Sequence, residues 1–271
     1  MNGKNSKITN ENKHVYDLGW KPKEVKLGPD YKLYQKGKLF KILNRIFLFF
    51  GTSIMYFLKR FYWGTKVKGK QYIKNVRSGI VVSNHVYPID LMIILSTFYP
   101  KSLYVTVLQS NLGLGLLSKL IRIYGGVPIP TKHSDFARFY KETPEIILKG
   151  HSVLFYPEAA LIPYCDHIRP LQPGAFFFAF ESTKWVIPTV ITFHKPKGFY
   201  RLVRKNKPCI HYTVLKPYYI KNLGDPKKSV KKAQKDVEKI MSDYFVKNSD
   251  YYYDKNGNRN STPMPYNRFV K

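Results

Sequence analysis

His85 and Asp90 are residue types that can move a proton, and they stand five positions apart just after an apolar run. That run, residues 80–83, fits a buried strand. Pro88 marks the first turn of the following helix, because proline is tolerated there and not deeper inside. His85 is therefore predicted in a strand-to-helix turn, where Asp90 can accept a hydrogen bond from one imidazole nitrogen. This contact would fix the tautomer and make the other nitrogen a general base for a hydroxyl nucleophile.

A carboxylate follows a second apolar strand. Residues 152–156 run into Pro157, which forces a turn, and Glu158 comes next. The carboxyl ends of parallel strands meet at one edge of a sheet, and ligands prefer that edge. Glu158 is thus expected near His85, with Asn84 bracing the histidine turn. Each signal also has an ordinary alternative, since an acid at a helix start or after a strand is often a cap.

The elements that position these residues follow from periodicity. From Gly79 onward, short β-branched runs alternate with helix-period segments, which is typical of a layered α/β domain. Helices are predicted around residues 91–98 and 136–140, and Pro144 should break the second. An apolar stripe in residues 230–244, opposed by lysines, predicts a basic amphipathic helix that packs on the core or lies on lipid. Strands are predicted at residues 80–83, 103–108, 127–129, 152–156, 186–193 and 210–215.

The longest apolar segment, residues 46–58, suggests membrane contact. Its thirteen residues are short of the roughly 20 that a bilayer-crossing helix needs. Lysines and an arginine precede it, and Lys59, Arg60 and three aromatic residues follow it. Cationic ends and an aromatic boundary favour a half-inserted or interfacial anchor. A buried core helix of the same length is the alternative.

Composition bounds the class of protein. The chain has 271 residues and is 44% hydrophobic, enough for a packed core, so disorder throughout is excluded. Its 46 Lys and Arg against 17 Asp and Glu give a net charge of +29, which predicts an anionic partner. Only Cys165 and Cys209 are present, without disulfide or zinc spacing, which fits a reducing cytosolic compartment. Residues 1–30 are polar and lack the apolar core of a secretory signal.

Two motifs together resemble a known family. Asn84-His85, four intervening residues and Asp90 resemble the N-H-x4-D signature of the lysophospholipid and glycerol-phosphate acyltransferases. Tyr156-Pro157-Glu158 resembles that family's F-P-E-G-T-R signature. The further blocks that resemble the family, in the order of its motifs between residues 79 and 195, are residues 125–129, 169–170, 173–176 and 186–190.

The resemblance implies a fold and a domain organisation. The fold would be a mixed, largely parallel α/β sheet covered by helices, with an N-terminal hydrophobic helical motif that associates with a membrane. The expected organisation is a polar arm (residues 1–34), the hydrophobic, interfacial motif (35–64), the acyltransferase α/β domain (65–248) and a tail (249–271). The protein would sit at the cytoplasmic face of the cell membrane as a peripheral or monotopic enzyme, held by anionic lipids at about 1 kcal/mol per nearby Lys or Arg.

The resemblance also implies a reaction. A fatty acyl group would pass from an acyl-CoA or acyl-carrier-protein thioester to a hydroxyl of a lysophospholipid, such as 1-acylglycerol-3-phosphate in phospholipid biosynthesis. His85 would take the hydroxyl proton, Asp90 would orient it, and Glu158 would bind the acceptor. No bound cofactor and no acyl-enzyme are expected, because the thioester co-substrate is already activated. Backbone N–H groups after His85 are the candidates for stabilising the oxyanion.

The sequence departs from the family where the acceptor phosphate should bind. Leu161 and Thr131 stand where the family has arginines, which grip phosphate through paired hydrogen bonds. The phosphate site is therefore either missing or rebuilt from Lys132, Arg138 or Arg169, and the acceptor could then be another lysolipid. Lys132 and Arg169 are predicted to contact the acceptor, and Asn84, Pro157 and Gly126 are predicted to support the site.

The same sequence also permits other classes of function. His85, Asp90 and Glu158 lack the second histidine of a good zinc set, so no metal is expected. Cys165 near His167 permits thiol catalysis, although a structural cysteine is commoner. A non-catalytic basic protein that binds a membrane or single-stranded nucleic acid is the main rival, including a dead homologue of the family. The aromatic residues cluster in apolar runs rather than alternating with cations, so no nucleic-acid partner is expected.

Overall fold

A computed structural model describes residues 25–28, 30–205, 207–253 and 260 of the chain. The described strands form one sheet in the order β1-β7-β6-β2-β5-β3-β4, and β8 pairs with β6. The strands are β1 (Val67–Lys68), β2 (Ile80–Ser83), β3 (Leu103–Leu108), β4 (Gly126–Ile129), β5 (Ser152–Phe155), β6 (Trp185–His194), β7 (Cys209–Val214) and β8 (Tyr218–Tyr219).

Helices connect and cover these strands. A π-helical segment, Leu58–Tyr62, extends the first helix, and a 3₁₀ segment, Gln109–Gly113, follows β3. The α-helices are α1 (Lys38–Phe57), α2 (Lys70–Asn75), α3 (Asp90–Phe98), α4 (Leu116–Ile123), α5 (His133–Leu148), α6 (Gly174–Phe180), α7 (Phe199–Arg204) and α8 (Pro226–Asn248).

The predicted mixed, largely parallel sheet is confirmed. Strands β2 to β6 run parallel to one another, whereas β7 and β8 pair antiparallel with β6. All residues of β2 and β5 are buried, because helices cover both faces of a parallel sheet. The six predicted strands agree with the structure to within one residue at each end. The strands β1 and β8 were not predicted, since two residues carry no detectable alternation.

The prediction that Pro144 breaks its helix is wrong. Helix α5 runs through it from His133 to Leu148. Buried side chains on both sides of the proline, Phe139 before it and Ile146 after it, pack into the core. The Thr143 hydroxyl also donates to the Phe139 carbonyl at 2.7 Å. Core packing on both sides therefore outweighs the roughly 3 kcal/mol that an internal proline costs.

The apolar stripe of the last helix lies on the core. Val237, Met241 and Phe245 of α8 are fully buried, and the helix packs on α6 and β6. Asp225 caps the helix by accepting a hydrogen bond from the Lys227 N–H at 2.8 Å. Of the two predicted locations for the apolar face of this helix, core packing is the one observed.

Parts of the predicted arm and tail are packed on the core. Leu33 and Tyr34 are buried, and the Tyr34 hydroxyl donates to Thr143 at 2.9 Å. At the other end, Ser249 is buried, and its hydroxyl donates to the Phe193 carbonyl at 3.1 Å. These residues therefore belong to the packed core, although they lie inside the segments predicted as arm and tail. Residues 1–24, 254–259 and 261–271 lie outside the described residues.

Helix α1 is mostly exposed. With its π-helical extension it spans Lys38–Tyr62, 25 residues, and is long and apolar enough to cross a membrane by length and composition. The apolar run of residues 46–58 is shorter than the helix, because the helix begins in the preceding segment that contains lysines. Only 17% of its apolar window is buried, so the alternative of a core helix is wrong. The large side chains more than half exposed on α1 are Leu39, Ile42, Phe49, Phe50, Ile54, Tyr56 and Phe57.

Candidate active site

The histidine turn follows the end of β2, at the carboxyl edge of the parallel strands. Asn84 continues the sheet with its side chain: its amide nitrogen donates to the Ile191 carbonyl at 3.0 Å, and its oxygen accepts from the Ile191 N–H at 2.8 Å. The loop after β5 closes over the turn, because Ile162 N–H donates to the His85 carbonyl at 3.2 Å and Tyr164 N–H to the Val86 carbonyl at 2.8 Å. The backbone around His85 is therefore held from two sides.

His85 and Asp90 are in direct contact, as their spacing predicts. The His85 Nδ1 lies 2.7 Å from Asp90 Oδ2, and the Val86 N–H donates to the same oxygen at 3.2 Å. Asp90 is fully buried at the start of α3, two residues later than the proline signal placed the helix. The His85 side chain is 25% exposed. Among the described residues no protein group bonds to His85 Nε2.

A third residue of this group, Tyr156, is not among the residues predicted from the sequence. Its ring stacks on the His85 imidazole with centroids 4.0 Å apart and 17° between planes. Its hydroxyl donates to Asp90 Oδ1 at 2.7 Å. Burial and the neighbouring Asp90 carboxylate hold the pKa of the Tyr156 phenol well above its ordinary value, so the phenol stays a donor. The sequence feature that could have pointed to Tyr156 is its tyrosine in place of the phenylalanine of F-P-E. It is the only one of these three motif positions that differs.

We expect Tyr156→Phe to keep the ring stacking and to lower the acyl-transfer rate about tenfold. Without the phenol, Asp90 loses the hydrogen bond that helps to hold its carboxylate toward His85, and a hydrogen bond to a charged group contributes about 1.5 kcal/mol. Initial rates of acyl transfer measure the loss. Tyr140→Phe, which removes an exposed hydroxyl on α5, is the matched control and should leave the rate unchanged. Equal rates for Tyr156→Phe and wild type would refute this role.

Glu158 lies behind the histidine turn in a buried ion pair. Its Oε2 accepts from the His85 N–H at 3.2 Å and from Arg169 Nη2 at 2.7 Å, and its Oε1 accepts from the Arg169 N–H at 3.1 Å. Arg169 also donates to the Ala160 carbonyl. Both side chains are almost fully buried. Glu158 thus joins the two motif loops, and direct binding of the acceptor by Glu158 stays a prediction.

The predicted phosphate ligands are not brought together. Arg169 is buried against Glu158, so its guanidinium is not presented to an acceptor at the surface. Thr131 is held by Gln109, whose Oε1 accepts its N–H at 2.9 Å. Lys132 is exposed just after β4, at the same edge as His85 but three strands away from β2. Of the two predicted acceptor cations, the structure leaves Lys132 accessible.

Two supporting residues have structural roles away from the reacting atoms. Pro157 is buried, and its carbonyl accepts from the Gln172 N–H at 2.7 Å, which shapes the loop after Glu158. Gly126 begins β4 at the opposite edge of the sheet, so its predicted support of the site is not observed. A Cβ at Gly126 would lie 2.7 Å from the Ile121 carbonyl oxygen, so glycine is needed there for a close backbone approach.

The candidate oxyanion donors nearest to His85 are already occupied. The His85 N–H donates to Glu158, the Val86 N–H donates to Asp90, and the Asp90 N–H donates to the Tyr87 carbonyl at 3.0 Å. Pro88 has no N–H. These three N–H groups therefore stabilise the conformation of the turn, so the predicted stabilisation of an oxyanion does not come from them.

Cys165, Asp166 and His167 form a compact polar cluster in the loop that covers the histidine turn. Their potential ligand atoms all lie within 4.8 Å of one another. Burial lowers the pKa of His167, but hydrogen bonds to Asp166 and Cys165 outweigh it and raise the pKa to about 10. Cys165 is fully buried, which argues against the thiol-catalysis alternative.

A cleft of about 940 Å³ lies elsewhere, between residues 30–43, the end of α4 and α5. Among the residues that the structure describes, none that lines this cleft belongs to the histidine turn or to the Glu158 loop. Its walls carry both signs, with Arg122 and Arg138 beside Glu142 and Glu145. The histidine turn and the Glu158 loop therefore lie outside this cleft.

The α/β sheet carries a histidine–aspartate pair at its carboxyl edge and a glutamate loop beside it. This arrangement agrees with the similarity of the chain to known acyltransferases. Residues 64–192, a little under half of the chain, match the family model described as Acyltransferase. This stretch contains both motifs, so the predicted family is confirmed over residues 64–192, which form an acyltransferase domain.

By structure, the chain is similar to the crystal structure of the 1-acyl-sn-glycerophosphate (LPA) acyltransferase, PlsC, from Thermotoga maritima. The identity is 16% and the TM-score 0.46, over 75% of this chain and 94% of that chain. No curated protein matches the sequence.

Proposed function

We propose that the protein transfers a fatty acyl group from an acyl-CoA or acyl-carrier-protein thioester to a hydroxyl of a lysophospholipid such as 1-acylglycerol-3-phosphate. The observation that carries this proposal is the 2.7 Å contact between His85 Nδ1 and Asp90 Oδ2, with the histidine partly exposed at the ligand-binding edge of the sheet. This is the arrangement that a general base for a hydroxyl needs.

The reaction proceeds in one displacement on the thioester. His85 Nε2 takes the acceptor hydroxyl proton while the hydroxyl oxygen attacks the thioester carbonyl carbon. Asp90, which accepts from Nδ1, stabilises the imidazolium that forms. The tetrahedral intermediate then expels the thiolate, which takes the proton from Nε2 and leaves as a thiol. One C–O bond forms and one C–S bond breaks, and no covalent acyl-enzyme is needed.

The acceptor is proposed to carry an anionic headgroup. Lys132 is exposed at the carboxyl edge of the sheet, and the net charge of the chain is +29. A lysine binds phosphate as a point charge, without the paired hydrogen bonds of the family's arginines. The replacement of those arginines by Leu161 and Thr131 therefore favours an acceptor held mainly by long-range attraction and by its acyl chain.

The enzyme is proposed to act as a peripheral or monotopic protein at the cytoplasmic face of the cell membrane. Helix α1 supports this location, because it exposes an apolar side that no described element covers. The C-terminal end of α1 lies beside the histidine turn, where Trp63 Nε1 donates to the Tyr87 hydroxyl at 3.4 Å. A lipid acceptor could thus reach His85 from the leaflet.

The test is consumption of radiolabelled acyl-CoA and acyl carrier protein thioesters over a panel of lysolipids that includes 1-acylglycerol-3-phosphate. We expect thiol release matched by one labelled diacyl lipid, and the productive acceptor names the substrate. If a folded, vesicle-bound protein consumes neither donor with any acceptor, the proposal fails and the non-catalytic membrane-binding alternative takes its place.

A further inference from the structure

The hairpin between β6 and β7 extends beyond the catalytic edge of the sheet. Strand β2 stops pairing with β6 at Ser83, opposite Thr189, whereas β6 continues to His194 paired with Cys209. Five further residues at about 3.3 Å each carry the hairpin roughly 17 Å past the end of β2. Helix α7 lies at its tip, on the same side of the sheet edge as His85.

The tip combines exposed cations with exposed apolar side chains. Phe199 is 59% and Leu202 79% exposed, the latter among the most exposed large hydrophobic side chains of the described residues. No Asp or Glu occurs in residues 195–208, and Asp250 contacts this segment through the backbone N–H of Lys195 at 2.8 Å. The exposed cations of the described residues in this segment are Lys195, Lys197, Arg201, Lys205 and Lys207.

This tip is continuous with the end of the α1 helix. Arg60 Nη1 donates to the Tyr200 hydroxyl at 3.0 Å, and that hydroxyl donates back to the Arg60 carbonyl. The Arg204 guanidinium lies 4.9 Å from the centroid of the Tyr62 ring. Phe61 and Tyr62 are themselves exposed. The exposed apolar surface of α1 therefore continues through its π-helical extension to α7, which contacts that extension directly.

We propose that α7 with its flanking lysines is a second membrane-docking element, which binds an anionic bilayer surface next to α1. Phe199 and Leu202 enter the boundary between headgroups and acyl chains, and the surrounding cations contact anionic headgroups. A soluble anion would need the cations but would gain nothing from two exposed apolar side chains. The proposal deepens the proposed function: contact at both α1 and α7 turns the His85 edge of the sheet toward the leaflet that holds the acceptor.

The experiment places an environment-sensitive fluorophore at Leu202→Cys in the full chain. Cys165 and Cys209 are both buried, so the introduced thiol is the accessible one among the described cysteines. The control is the same label at Leu223→Cys, a half-exposed leucine near the opposite end of β6. The probes are vesicles of phosphatidylcholine alone and of equal parts phosphatidylcholine and phosphatidylglycerol, with aqueous iodide as quencher.

We expect the label at position 202, and not at 223, to shift to the blue and to lose iodide quenching on the mixed vesicles. Lys195→Gln with Lys197→Gln should raise the lipid concentration for half response about tenfold or more, whereas Lys231→Gln with Lys235→Gln on α8 should not. Full iodide access at position 202 on bound vesicles overturns the proposal. An equal response on both vesicle types overturns the role of the cations. Because the label needs no turnover, docking and the proposed reaction can fail separately.

Discussion

Replacing His85 by alanine is expected to lower the rate of acyl transfer about a thousandfold or more. A positioned general base contributes roughly 10²–10⁴ in rate, and the alanine variant leaves the acceptor hydroxyl without a proton acceptor. Initial rates of thiol release with the productive lysolipid measure this loss. Asp90→Asn should also lower the rate of acyl transfer, but by a smaller factor. The imidazole remains in this variant but loses the carboxylate that orients it from 2.7 Å away.

His151 provides the matched control for this prediction. It is a partly buried histidine just before β5, at the opposite end of that strand from the catalytic edge. His151→Ala should retain the rate to within about twofold, because it lies far from any acyl acceptor. If His85→Ala retains wild-type activity while folding normally, His85 is not the base and the proposed mechanism is wrong.

Replacing Glu158 by alanine is expected to lower the free energy of unfolding by about 3–5 kcal/mol. The Arg169 guanidinium would lose the carboxylate that lies 2.7 Å away in a site where both side chains are nearly fully buried. Removing one partner of a buried ion pair leaves a charge without its counter-charge, which costs about that much. Thermal or denaturant unfolding in a fixed detergent measures the change.

The exposed pair of Lys239 and Asp243 on α8 is the control for the ion-pair prediction. Asp243→Ala should change stability little, since exposed pairs are screened by water. The comparison also tests the predicted acceptor role of Glu158. A Glu158→Ala protein that keeps its stability but shows a raised KM for the acceptor would contradict the structural role and support direct binding.

Much of the scaffold is readable from the sequence because it rests on local signals. The strands at residues 80–83 and 103–108 are mostly apolar runs, which is typical of parallel strands covered by helices on both faces. The contact of His85 with Asp90 is also local, since five residues at a helix start bring the two side chains together. The family motif and this geometry therefore agree.

Other features of the site join residues that are distant in the chain. Tyr156 contacts Asp90 across 66 positions of the chain. In the sequence this tyrosine is only an aromatic residue that replaces the phenylalanine of the motif. Arg169 has the residue type of a phosphate ligand, yet its location 11 positions after Glu158 places it in a buried pair. The type of a side chain does not reveal whether it binds a ligand or another protein group, because packing decides which charges are removed from water.

The sequence by itself determined six of the described strands, the helices around residues 91–98 and 230–244, the acyltransferase motifs, and the apolar and basic character of the N-terminal helix. Only the tertiary structure decided that α5 continues through Pro144, that Arg169 is turned inward, and that α7 stands beside the end of α1. The physical reason is the range of the interactions. Periodicity and turn chemistry act over a few residues, whereas burial and ion pairing depend on neighbours that the fold brings from elsewhere in the chain.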